Sequence, residues 1–175
     1  VVLAANSLIM QLLMLTSYGL DGFAHAAEAL TGKAKGEGKH SLFIETCKQC
    51  AKWSAISALL FCAVYALAGQ GMIAMLSSID SVVIEANQYL PWLIVLPLAS
   101  MGAYLLDGIF IGASRSQAMQ NAMLLSALGV YLPVWYFSQA MGNHGLWLAF
   151  ICFSLARGLS LGIVFVHNTR RRLWV

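Results

Sequence analysis

The sequence predicts an all-α membrane protein, a polytopic helical bundle of five transmembrane helices, on three observations. Of its 175 residues, 60% are hydrophobic and 10% charged, with a mean hydropathy of +0.76; soluble domains carry about 25% charged residues. The apolar residues fall into five stretches near the roughly 20 residues that cross hydrocarbon at about 1.5 Å per residue. The bases sit almost entirely in the segments between those stretches, on alternate sides. A net charge of +3 placed this way reports membrane topology, and nucleic acid is excluded as a partner.

The first span covers about 1–31 and is closed by Gly32-Lys-Ala-Lys-Gly36 with Glu37 and Lys39. The second begins with a polar turn or two near Ser41 and covers 47–76, its most apolar part running from Trp53 to Leu76. A polar connection, 77–88, carries Asp80 and Glu85 and no base. The third span is 89–113, closed by Ser114-Arg-Ser-Gln117. The fourth is 118–141, ending in the turn signal Gly142-Asn-His-Gly145, and the fifth is 145–166, before His167-Asn-Thr-Arg-Arg-Arg172.

Alternating spans put Lys33, Lys35, Lys39, Lys48, Lys52, Arg115, Arg170, Arg171 and Arg172 on one side and no Lys or Arg on the other. By the positive-inside rule the basic side is cytoplasmic, and so is the C-terminus. The chain opens at Val1 within an apolar run. An odd number of spans and this abrupt start predict a piece of a longer protein with at least one further helix upstream.

Ionisable groups at membrane depth are costly and mark function by default. Asp21, His25 and Glu28 share one side of the first span at i, i+4, i+7, and Tyr18, Ser17, Met14 and Met10 extend that stripe. Asp21 lies 12 residues before Lys33, about 18 Å along a helix and near mid-depth. It is the leading candidate for a protonatable carboxyl. Glu28 lies nearer the basic edge, and His25 is read as a core histidine. The third span offers a second stripe of Pro97, Ser100, Tyr104, Asp107 and Ser114, with Asp107 a second intramembrane carboxyl lacking a sequence-local partner. Arg157 is the one base inside an apolar span, so it must snorkel, meet a carboxylate or line a wet cavity.

Met10, Met14, Tyr18 and Tyr131 are candidates to line a site for a lipophilic ligand. Pro97 and Pro133 are hinge candidates, since a mid-span proline deletes a backbone hydrogen bond; Pro91 is placed in the first turn of its helix, where proline costs little. Trp53, Trp92, Trp147 and Trp174 are placed in the interfacial belt. The four cysteines are expected to be free thiols. Cys47-x-x-Cys50 is a single pair without a second pair or His spacing, and His25-Ala-Ala-Glu28 is not a zincin motif, so no metal site is expected. There is no phosphate loop, dinucleotide fingerprint or nucleophile elbow, and no cofactor is expected.

Ser17-Tyr-Gly-Leu-Asp-Gly-Phe-Ala-His-Ala-Ala-Glu-Ala-Leu-Thr-Gly32, Tyr89-Leu-Pro-Trp-Leu93, Leu106-Asp-Gly-Ile-Phe-Ile-Gly-Ala113 before Arg115, Asn143-His-Gly-Leu-Trp147 and Leu155-Ala-Arg-Gly158 resemble the DinF branch of the multidrug and toxic compound extrusion (MATE) transporters. The resemblance runs the length of the chain. It implies a twelve-helix antiporter of two six-helix bundles in the bacterial cytoplasmic membrane, with these residues as helices eight to twelve. The N-terminal bundle and one further helix would be the missing partners. It further implies export of lipophilic, often cationic compounds in exchange for protons, or alternatively sodium. The best-known coupling Asp of the proton-coupled members is on a helix outside this sequence. Asp107 is on the helix that carries a carboxylate in sodium-coupled members, about one turn displaced from it. Two other classes of function compete: an intramembrane enzyme or lipid-handling protein using Asp21 and Asp107 as an acid pair, and a non-catalytic assembly subunit whose polar residues only join helices.

Overall fold

A computed structural model describes residues 1–174. Its elements are α1 (Val2–Gly36), α2 (His40–Leu76), α3 (Asp80–Gly112), α4 (Ser116–Ser126), a π turn (Ala127–Tyr131), α5 (Leu132–Phe137), a 3-10 turn (Gln139–Met141) and α6 (Asn143–Arg170). Helices α1, α2, α3 and α6 are each long and apolar enough to cross a membrane. The fourth expected span falls on the run of α4, π turn and α5, none of which is by itself long enough to cross a membrane. The wide turn precedes Pro133, and the Leu132 N–H reaches back to the Ala127 carbonyl. Pro133 then falls in the first turn of α5, where its missing N–H is not needed.

Two expectations about the third helix are corrected. The connection before it is only 77–79, because residues from Asp80 onward are already helical. Asp80 in the first turn suits the positive end of the helix dipole. Pro91 therefore lies well inside α3 rather than in its first turn, and Pro97 is buried in the same unbroken helix.

The contacts set the directions of the helices. Ser17 meets Tyr104, Gly108 lies against Ala24, and Lys35 reaches the Ala113 carbonyl, so α1 and α3 run parallel. Asn6 pairs with Asn143, Trp92 with His144 and Asp107 with Arg157, so α6 runs the same way. Helix α2 runs against them: its Tyr65 hydroxyl donates to the Leu12 carbonyl at 2.7 Å and lies 2.6 Å from the Thr16 hydroxyl, while Phe61, a turn earlier in α2, meets Gly19 further along α1. Helix α3 is the central post, with α1, α2 and α6 around it.

Lipid offers no hydrophobic drive for joining helices, so close backbone approach must supply the attraction. It does so between α1 and α3. A Cβ on Gly108 would strike the Ala24 carbonyl, and one on Gly112 would strike the Glu28 carbonyl and the Thr31 hydroxyl. At the basic end the chain turns back after α6, and Trp174 is buried against Phe43, Phe110 and Phe165. Arg115 lies over its ring and donates to the Leu173 carbonyl at 2.7 Å. Trp174 and Trp147 are thus core residues, not belt residues, and Trp92 is half-buried on His144; of the four belt candidates Trp53 alone is exposed. All four cysteines are free thiols.

Candidate functional site: a polar seam between α1, α3 and α6

The two stripes read from the sequence meet along the line where α1 and α6 flank α3. The Ser17 and Tyr104 hydroxyls are 2.8 Å apart. One turn further toward the basic end, the Arg157 guanidinium donates to the Asp107 carboxylate in an ion pair joining α6 to α3. The side chains are 20% and 14% exposed, respectively. Asp107 Oδ1 and Arg157 Nε are buried with no partner among the described residues. Such a pair adds little net stability, because desolvation offsets attraction, but removing one member strands a buried charge.

Ser100, Tyr104, Ser154 and Arg157 line a cleft of about 50 Å³ with apolar walls from Leu13, Phe150 and Phe153. That is room for a few waters, not for a drug-sized ligand. Ser100 and Ser154 spend their hydroxyls on the carbonyls of Leu96 and Phe150.

Asp21 projects at the edge of this seam. It is half-buried and makes no hydrogen bond or ion pair among the described residues. Its flanking contacts, Ser17 with Tyr104 and Ala24 with Gly108, bracket it level with Asp107. No hydrogen bond joins the two carboxyls, since Asp107 is paired with Arg157.

The rest of the α1 stripe turns away. His25 is a correction: it is no core histidine, since its side chain is 79% exposed, and it contacts only Glu28, at 3.7 Å. Glu28 flanks the α1–α3 interface, half-buried. Met14 and Tyr18 lie on the same exposed face as His25. Met10 instead joins Tyr131 in a largely apolar cleft of about 270 Å³ between α1, the π turn and α6, with Asn6, Leu146, Trp147 and Phe150. Met10 and Tyr131 are thus brought together, and Met14 and Tyr18 are left outside.

Two features went unread in the sequence. Gly108-Ile-Phe-Ile-Gly112 is a small-xxx-small pattern that a search for close-packing helices finds. Near the end remote from the bases, Asn6 bonds Asn143 and accepts from the Trp147 indole at 3.1 Å. Trp92 donates to His144 at 2.9 Å, and Tyr89 donates to Glu85 at 2.5 Å. Tyr89 and Glu85 are one helical turn apart, but the other partners are far apart in sequence, and only the motif Asn143-His-Gly-Leu-Trp147 hinted at them. Among the described residues no group of three or more His, Cys, Asp or Glu could hold a metal ion.

No solved structure matches the chain. It is 41% identical over 173 residues to the DNA damage-inducible protein F of Escherichia coli (strain K12), across 99% of this chain, and it spans 38% of that relative's length. The family model MatE matches residues 1–137. Matched by that model over most of its length, the chain belongs to the MatE family.

Proposed function

We propose that these helices form most of one bundle of a secondary antiporter that exports lipophilic, often cationic compounds by alternating access in exchange for protons, with sodium as the alternative coupling ion. One observation carries this reading. Asp21 has no partner, stands beside an ion pair, and lies on a helix whose neighbouring face is exposed at membrane depth. Ionisable groups at that depth face protein or water. The α1 face bearing Met14, Tyr18 and His25 is therefore one wall of a polar pathway, and the N-terminal bundle of the same transporter supplies the other. Family membership supports the class of function.

The Asp107–Arg157 pair divides the labour. Asp107 is committed to Arg157, so Asp21 is the carboxyl free to take up and release a proton. When charged, Asp21 repels Asp107 and attracts Arg157; when neutral, it does neither. The two protonation states thus favour different packings of α6 against α1 and α3, and a substrate that prefers one packing is linked to the proton. The bases at one end of the bundle support a C-terminus in the cytoplasm.

The acid-pair reading has less support, because no hydrogen bond joins Asp21 to Asp107. We therefore read the protein as a transporter and not an enzyme. The test is export from vesicles holding the full-length protein, driven by a pH gradient. Asp21→Asn is expected to abolish it and Asp107→Asn to weaken it; a sodium gradient in place of the pH gradient identifies the ion. Unchanged export in both variants overturns the reading. Lowered stability with intact export leaves only a helix-joining role.

A further inference from the structure

The polar cluster remote from the bases is not needed by the mechanism above, yet it holds a titratable group in a geometry that only one of its protonation states permits. The Trp92 indole of α3 donates to His144 Nδ1 of α6 at 2.9 Å. Indole nitrogen is a donor only, so Nδ1 must be the acceptor and carry no proton. The ring is then neutral, with its proton on Nε2. Tyr89 packs edge-on against the same ring at 5.1 Å and Trp92 tilts over it at 6.2 Å, so the imidazole is held on both sides by α3.

We propose that His144 is a proton-binding site of its own, separate from Asp21, and that its protonation releases α6 from α3 at this end of the bundle. A proton on Nδ1 would set two N–H donors against each other and break the Trp92–His144 hydrogen bond that joins α3 to α6 at this level. The arrangement described here leaves His144 Nδ1 without a proton, so by linkage a second proton on the ring favours one in which these ends part. Lower down, the Asp107–Arg157 pair holds the same two helices together, so the release is local.

The titratable groups facing His144 come from α3: Tyr89, against its ring, and Glu85, which accepts the Tyr89 hydroxyl at 2.5 Å. Asn143 beside it and Asn6 of α1 are uncharged, and 138–142, which precedes α6, carries no titratable side chain. A charged Glu85 makes the second proton easier to bind, but it takes the Tyr89 hydroxyl and does not restore the hydrogen bond that a proton on Nδ1 breaks. Imidazole is the side chain that changes charge between about pH 5 and pH 8. If, as the transporter reading holds, this end faces the outside, the external pH sets the joint. The proposal rests on that reading for its physiological meaning but not for its chemistry.

The test is a double-mutant cycle on the thermal stability of the full-length protein in detergent, with Trp92→Phe and His144→Leu measured at pH 8 and pH 5 and His144→Gln measured beside them. Glutamine supplies an acceptor that does not titrate, so that variant keeps the fold. Coupling between the two positions is expected at pH 8 and lost at pH 5. The fall in melting temperature between the two pH values should shrink in His144→Gln and persist in Glu85→Gln. Equal coupling at both pH values, no coupling at pH 8, or a pH effect that vanishes in Glu85→Gln and survives in His144→Gln each overturns the proposal. These readouts need no transport, so their failure is separable from failure of the antiporter reading.

Discussion

Gly112 of α3 lies against the main-chain carbonyl of Glu28 on α1 so closely that no side chain fits between them. Gly108 stands in the same relation to Ala24 one turn earlier. Backbone cannot swing aside as a side chain does, so Gly112→Ala or Gly108→Ala must push the two helices apart. The expected cost is about 1–3 kcal/mol each, as for overpacked cores. Gly22→Ala is the control: nothing lies within 4 Å of an added Cβ there, and helix propensity predicts a gain of up to about 1 kcal/mol. Unfolding titrations in mixed detergent would read both. Equal effects at Gly22 and Gly112 would rule out close packing as the cause.

Arg157→Met should be strongly destabilising, because it leaves the Asp107 carboxylate buried and unpaired. Removing one partner of a buried pair costs about 3–5 kcal/mol, whereas replacing both by apolar residues is often close to neutral. The same titration on Asp107→Leu/Arg157→Met should therefore recover most of the loss. A double variant as unstable as Arg157→Met would mean that the pair holds the helices together in its own right.

Much of this arrangement was legible in the sequence, and the rest was hidden for identifiable reasons. The all-α class, the long apolar helices and the gathering of bases at one end follow from composition and spacing. Arg157 could be seen to need a partner, but Asp107 is 50 residues away, and nothing local links them. Trp174 has the composition of a belt residue and is buried only because the chain doubles back onto Phe43 and Phe110. Pro91 was assigned to a helix start because Asp80 and Glu85 look like loop residues; once α3 begins at Asp80 they are its first turns. A lone histidine on an apolar helix reads as a core residue, because imidazole is readily satisfied by a nearby carbonyl, yet the buried face of α1 runs through Leu20, Ala24 and Ala27 and leaves His25 outside.

Ser114 ends α3 with φ at +58°. Arg115 N–H reaches the Phe110 carbonyl and Ser114 N–H the Ile111 carbonyl, the Schellman pattern in which glycine is usual. A left-handed L residue carries a cost of about 1 kcal/mol. Ser114→Gly is therefore expected to stabilise the bundle by about that amount, and Ser114→Val to destabilise it. An unchanged midpoint in both would show that the turn relaxes without strain.

The π turn at Ala127–Tyr131 has a consequence for length. It fits one residue more into the helix than an α-turn would, so it acts as a slack loop in a rope whose two ends are tied. One end is tied where α4 packs on α6, and the other where Gly145 lies against the Ser138 carbonyl. A relative with one residue fewer between 127 and 131 can keep both knots by drawing the slack into a plain α-helix. Everything between would keep its place along the membrane normal.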